Sequence, residues 1–200
     1  MGHVRVIAGS LRGSKLPVAD LPGLRPTGDR ARETLFNWLQ NEIAGRQVLD
    51  AFAGSGALGF EAASRGAADV LLLERDARLA NSLRESATRL HADAIRVECA
   101  DALSWLGRNA QARFEVVFLD PPFDAKLHAA AAQALGPWLA PRAWVYVELA
   151  KSAEFMPPQG WALHRESATR DARHLLFRVE SGAGTGTLEG SIPGPGSLSA

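Results

Sequence analysis

Long apolar runs, paired cysteines and clustered histidines are all missing from this chain of 200 residues. No apolar run approaches the ~20 residues that a membrane-spanning helix needs. The opening stretch, MGHVRVIAGS, lacks the extended apolar segment of a secretory leader. One cysteine, Cys99, excludes a disulfide framework and an all-cysteine metal site; its position near a strand end reads as a small core residue. The five histidines, at 3, 91, 128, 164 and 174, have no ligand spacing, so no metal is expected. A soluble, cytoplasmic protein is the expectation.

Net charge is absent too, with 22 basic and 22 acidic residues, which at first argues against a nucleic-acid partner. The distribution reverses that impression. Residues 1–32 carry Arg5, Arg12, Lys15, Arg25, Arg30 and Arg32 against Asp20 and Asp29, a local charge of +4, and the remainder carries −4. A basic N-terminal segment is a footprint that finds phosphates, although charge alone equally suits an ordinary solvated surface. What is abundant is apolar: 46% of residues, enough for one packed domain and too many for a disordered chain.

Residues 3–8 alternate as a strand does, Gly9 and Gly13 interrupt, and 14–18 return, so a small β-hairpin is expected. Prolines and glycines in 19–28 make a loop. A helix follows, with Asp29 as its N-cap and Gly45 as its stop. Ala31, Leu35, Trp38, Leu39 and Ile43 share one of its faces. Apolar strands at 47–52, 69–74, 95–99, 114–120 and 144–149 then alternate with helices around 57–65, 76–91, 101–107 and 127–139. That order specifies a doubly wound, mainly parallel sheet covered on both faces. Segments 161–167 and 174–179 read as a final hairpin with an antiparallel strand. The chain therefore divides into a basic hairpin arm and loop (1–28), an α/β domain (29–180) and a Gly/Ser/Pro-rich tail (181–200) expected to be disordered.

The first chemical signal is VLDAFAGSGALGFEA, 48–62. A buried strand ends at Asp50, a small-residue loop turns, and a helix begins. Ligands of open parallel sheets bind outside the carboxyl ends of the strands, and Gly54 and Gly56 let the backbone approach one closely. Glu74 ends the next strand, where a carboxylate can accept both hydroxyls of a ribose. Asp101 follows the third strand, where an adenine amino group can be read. The glycines also satisfy the dinucleotide pattern G-x-G-x-x-G, so a nicotinamide cofactor and S-adenosylmethionine are both open at this point. Asp50 favours the latter, because a carboxylate suits a sulfonium and an α-ammonium and repels a pyrophosphate.

Asp120-Pro121-Pro122-Phe123 closes the fourth strand and is more specific. An exocyclic amino group on a base is a poor nucleophile, since its lone pair is delocalised into the ring. A carboxylate that accepts its N–H encourages pyramidal character. Two prolines present carbonyls without competing N–H donors, and Phe123 offers a face on which a base can stack, worth ~1–3 kcal/mol. A Pro-Pro turn with Phe123 packed inside is the plain structural alternative. Arginines around LRPTGDRARETLF, 24–36, precede and open the first helix, whose N-terminus also favours anions; Arg30 and Glu33 can equally pair with each other at i, i+3.

Taken together, RVIAGSLRGSKLPV, LRPTGDRARETLFNWL, LDAFAGSGALGFEA, LDPPF and YVE at 146–148 resemble the bacterial small-subunit methyltransferase D family, which methylates a guanine N2 in 16S ribosomal RNA. The likeness runs from about Arg5 to Val179. It implies a class I S-adenosylmethionine-dependent methyltransferase fold without a metal. It implies that Asp50, Gly54, Gly56, Glu74 and Asp101 contact the cofactor, with Phe52 and Ala102 beside them, and that Asp120, Pro121, Pro122 and Phe123 hold the guanine. Arg5, Arg12, Lys15, Arg25, Arg30 and Arg32 are then candidate RNA contacts, for a monomer acting on 16S rRNA within a small-subunit particle. The chain departs from the family pattern at Gly28, where a Thr-like residue is more usual, and over 168–174 (ATRDARH).

Three rival functions share these residues. The first is amino-methylation of a DNA adenine or a protein glutamine, which use related tetrapeptides. The second is an NAD-dependent oxidoreductase, against which Asp50 and the DPPF motif speak. The third is a non-catalytic RNA-binding module that keeps the fold.

Overall fold

The computed structural model describes residues 2–18, 28–110, 113–122 and 125–180. Residues 19–27 of the expected loop 19–28, Arg25 among them, Phe123 and the tail 181–200 lie outside them. Two strands, β1 (Gly2–Arg5) and β2 (Lys15–Val18), pair antiparallel as the N-terminal hairpin. Helix α1 (Asp29–Trp38) leads into an alternation of β3 (Gln47–Asp50), α2 (Ala57–Ser64), β4 (Asp69–Glu74), α3 (Ala77–Arg89), β5 (Ile95–Cys99), α4 (Ala102–Leu106), β6 (Phe114–Leu119) and α5 (Ala125–Ala134). A 3-10 turn (Gly136–Trp138) then feeds β7 (Leu139–Ala150), β8 (Trp161–Ala168) and β9 (Ala172–Val179).

The seven later strands form one sheet in the order β5-β4-β3-β6-β7-β9-β8. The first five in that order run parallel, and β9 runs antiparallel to both β7 and β8. The chain moves outward from β3 through β4 to β5, then returns to the other side of β3 as β6. The crevice between β3 and β6 is the switch point where such sheets take ligands.

Apolar side chains alternate to the two faces. Val48, Val70, Leu72, Val116, Phe118 and Tyr146 face the side covered by α1, α2 and α3. Leu49, Leu71, Leu73, Val117, Leu119 and Val145 face α4 and α5. On the second side Trp105 and Trp138 lie with ring centroids 4.2 Å apart, and each indole N–H is satisfied, to Glu98 at 2.7 Å and to the Leu106 carbonyl at 2.8 Å.

Helix α1 differs from its expected form. Gly28, not Asp29, holds the N-cap position and offers no side-chain bond. Asp29 is the first helical residue and pairs with Arg32 at 2.7 Å. The helix ends at Trp38, and Leu39 and Ile43 are buried from turns beyond it. Strand β7 begins five residues before the expected 144, because a bulge at Arg142, φ +59°, lets the chain pass Pro141 and keep pairing with β6. Cys99 is exposed rather than in the core: it ends the edge strand β5, with no further strand to cover it.

The hairpin is clamped onto the domain. Val4, Val6 and Leu16 are buried. The wholly buried Glu61 of α2 accepts the backbone N–H of Ile7 at 2.6 Å and of Ala8 at 3.1 Å, and pairs with Arg65 at 2.7 Å. Gly9, at φ +82°, lies so close to α2 that a Cβ would fall 1.8 Å from the Ser64 carbonyl oxygen. Only glycine fits there.

Candidate active site

The three acids expected on one sheet edge do sit at the carboxyl ends of adjacent strands β3, β4 and β5, but each is engaged differently. Asp50 is only 2% exposed. Its Oδ2 accepts the Gly59 N–H at 3.1 Å. That N–H belongs to the first turn of α2, whose N-cap, Gly56, has no side chain to offer. Asp50 therefore caps α2 from the neighbouring strand. Burial pushes its carboxyl up to about 7, against the opposing effect of the Gly59 and Phe52 N–H groups.

Glu74 suspends the other side of the same loop. One oxygen accepts the Gly54 N–H at 2.9 Å and the other accepts the Asp76 N–H at 2.8 Å. Each carboxylate oxygen can take a second donor, so the half-buried group can still accept ribose hydroxyls. Gly56, φ +77°, passes so close to Leu83 and Phe60 that a Cβ would meet them at 2.6 and 2.8 Å. A cleft beside the loop is bounded by Gly54, Ser55, Arg78, Leu83 and the hairpin's Pro17, so the N-terminal hairpin reaches the loop's flank. Asp101 is exposed and caps α4, its Oδ1 accepting the Ser104 N–H at 2.9 Å; that bond, first of all, holds its carboxyl below the usual range. Ala102 is buried as the first residue of α4, and Phe52 is half-buried against the α4–α5 side.

Across the switch point, Asp50 pairs in register with Phe118. Asp120 stands two residues further on, beside the loop that leaves β3. It is half-buried, Pro121 is buried and Pro122 exposed.

Next to Asp120 lies a cluster to which the sequence reading gave no role. Register pairs Phe118 with Tyr146 and Glu148 with His174. Strand alternation therefore puts Asp120, Glu148 and His174 in one row across β6, β7 and β9. Tyr146 and Glu148 are 0% and 7% exposed, and His174 is 3% exposed. The Tyr146 hydroxyl donates to Glu148 Oε2 at 3.1 Å and lies 2.8 Å from His174 Nδ1. A phenol has one proton, so with that proton directed to Glu148, Nδ1 is the donor in the second contact. Burial, and after it the charges of Glu148 and Asp120, push the Tyr146 phenol well above its ordinary value, which keeps it a donor. His174 Nε2 is buried and has no hydrogen-bond partner among the described residues. The available signal was a tyrosine and a glutamate at alternate positions of an otherwise apolar strand.

Of the candidate RNA contacts, Arg5, Arg12, Lys15 and Arg30 are exposed on the hairpin and at the start of α1. Arg32 does not belong with them. It is fully buried and donates to the Arg5 carbonyl at 3.0 Å and to Asp29, tying the hairpin to α1. Among the described residues, no helix is long and apolar enough to cross a membrane and no group of three or more His, Cys, Asp or Glu is arranged to hold a metal.

A doubly wound sheet with a glycine loop slung between two strand-end carboxylates is the class I methyltransferase fold. The same fold is found in an RNA methyltransferase from Salinibacter ruber solved with S-adenosyl-L-homocysteine, at a TM-score of 0.63 and 17% identity over 79% of this chain and 95% of that one. The family model described as conserved hypothetical protein 95 matches residues 4–178. Ribosomal RNA small subunit methyltransferase D of Haemophilus influenzae is 44% identical over 182 residues, 88% of this chain and 94% of its own. The solved Escherichia coli protein yhhF, described as a methyltransferase, superposes with a TM-score of 0.83 at 41% identity, covering 90% of this chain and 99% of that one. The chain belongs to the ribosomal RNA small subunit methyltransferase D family.

Proposed function

We propose that this protein methylates small-subunit ribosomal RNA with S-adenosylmethionine as methyl donor, and that its target is the exocyclic N2 of a guanine in 16S rRNA. The observation that carries this reading is the position of Asp120-Pro121-Pro122 at the end of β6, across the switch point from the loop held by Asp50 and Glu74. Family membership supports the ribosomal substrate.

The residues fit the cofactor. Glu74 has acceptor capacity left for ribose hydroxyls, and Asp50 and Glu74 together suit a cationic ligand. The exposed Asp101 is available to the adenine end, with Ala102 next to it. When bound, the cofactor supplies an electrophilic methyl group on a sulfonium. The chain's own task is positioning. Asp120 accepts an N–H of the target amine and orients its lone pair, and the proline carbonyls offer further acceptors. Phe123, by its place in the motif, supplies a stacking face. Holding two reactants in line is worth ~7–11 kcal/mol, and the target base must first be unstacked at a cost of a few kcal/mol. The exposed Arg5, Arg12, Lys15 and Arg30, with Arg25, are the proposed phosphate contacts that offset this cost. The protein is proposed to act as a cytoplasmic monomer on an assembled particle.

The test is a map of N2-methylguanine in 16S rRNA from cells with and without the gene, joined to single-turnover methylation of small-subunit particles, naked rRNA, DNA and protein. One N2-methylguanine should vanish with the gene, and Asp120→Ala should lower kcat about 10²–10³-fold while cofactor affinity survives. An unchanged rRNA map, or methylation of DNA or protein instead, sinks the reading.

A further inference from the structure

We propose that Glu148 is a positioning residue for methyl transfer, fixed by Tyr146 and His174 on the side of Asp120 that faces away from the cofactor loop. The inference rests on the reading above and follows from strand order. The candidate cofactor contacts Asp101, Glu74 and Asp50 sit at β5, β4 and β3; Asp120 comes next on β6, then Glu148 on β7 and His174 on β9.

In the reaction the N2 lone pair forms the bond to the methyl carbon, and the pair of the broken carbon–sulfur bond stays on sulfur. One N2 proton then leaves to Asp120. With the donor held at the loop after β3 and the amine at Asp120, positive charge would shift towards the amine, in the direction β3 to β6. A buried carboxylate one strand beyond β6 lies ahead of that displacement, so it stabilises the transition state more than the ground state.

The surroundings hold the Glu148 side chain in place. Tyr146 donates to its Oε2 at 3.1 Å, and His174 Nδ1 lies 3.6 Å from the same oxygen and 2.8 Å from the Tyr146 oxygen, to which its Nδ1–H tautomer donates. The Tyr146 and His174 rings lie within 8° of parallel, their centroids 6.2 Å apart. The main-chain carbonyl of Glu148 is held separately, 2.6 Å from His128 Nε2 of α5.

Glu148→Gln tests this, because the amide keeps the shape and an acceptor oxygen for Tyr146 and removes the charge. In single-turnover methylation of small-subunit particles carrying unmodified 16S rRNA, Glu148→Gln should lower kcat about ten- to a hundredfold, the size expected for one charge at adjacent-strand distance. KM for particles and the calorimetric cofactor affinity should stay within about twofold, a split that a loosened fold does not produce. Independently of activity, ¹⁵N NMR of the ligand-free protein should find His174 as its Nδ1–H tautomer, and Tyr146→Phe should abolish that signature. A Glu148→Gln kcat equal to wild type, a fall in cofactor affinity that matches the fall in rate, or an Nε2–H tautomer overturns the proposal. Wild-type protein run alongside keeps the two readings apart: if it leaves the particles unmethylated, the proposed function fails first.

Discussion

Asp50 makes the stability of the ligand-free protein depend on pH in a direction opposite to that of most carboxylates. Its carboxyl is raised from 3.8 to about 7 by burial, whereas in the unfolded chain it titrates near the ordinary value. Between those two values the folded protein binds more protons than the unfolded one. The contribution of Asp50 to stability is therefore greatest below about pH 4, falls as pH rises towards about 7, and levels off above it. The whole shift corresponds to about 4 kcal/mol at ~1.4 kcal/mol per unit, and the part falling between pH 5 and pH 8 is about 2–3 kcal/mol. Asp50→Asn keeps an oxygen for the Gly59 N–H and removes the titration. Urea unfolding of both proteins at pH 5, 6, 7 and 8 isolates Asp50, since every other titrating group is common to the pair. The variant should gain on wild type by about 2–3 kcal/mol across that range. A gap constant to within about 0.5 kcal/mol would refute the reasoning, because it would mean that Asp50 does not titrate as a buried acid. A cationic cofactor should draw Asp50 into its ionised form, so wild-type affinity should rise through pH 7 and the variant's should not.

Glu74→Ala should weaken cofactor binding by about 1.5–3 kcal/mol, measured by calorimetry; because Glu74 also holds the Gly54 and Asp76 N–H groups, amide exchange in 53–56 should quicken even without ligand. Unchanged exchange and affinity would remove Glu74 from the site. Glu61→Ala strips the acceptor from Ile7 and Ala8 and leaves two N–H groups to find water, so limited proteolysis should cut within residues 5–16 much faster than in wild type. Equal cleavage would show that apolar burial alone docks the hairpin. Replacing Arg12 and Lys15 with Ala should weaken particle binding and lower the slope of log affinity against log salt by up to about two, with cofactor affinity unchanged; an unaltered slope would assign the hairpin a purely structural task.

Local pattern was enough for most of the sheet. The strands Asp69–Glu74 and Ile95–Cys99 have the bounds expected of them, and Gln47–Asp50 and Phe114–Leu119 differ by one or two residues at their ends, because an apolar run flanked by small polar residues carries its own limits. The order of strands and helices determined the doubly wound topology, and the residues that end β3, β4 and β6 were identifiable because ligands of this fold collect at strand ends. What those residues do there was not local. Arg32 looks like an RNA contact in a basic stretch, yet its guanidinium closes inside the protein on the Arg5 carbonyl, 27 residues away. Glu61 reads as one more helix glutamate until the hairpin, 54 residues earlier, folds onto it.

Asp50, Tyr146, Glu148 and His174 mark the boundary most clearly. The sequence determined that they stand in strands or at strand ends, since alternation is encoded within six or eight residues. Only the tertiary structure decided that Asp50 lies beneath α2 as its cap and that Tyr146 meets His174, 28 positions on, across an antiparallel pair. The physical reason is register. Which side chains face one another across neighbouring strands depends on how whole strands align when the sheet assembles. A shift of one residue in β9 would send His174 to the opposite face.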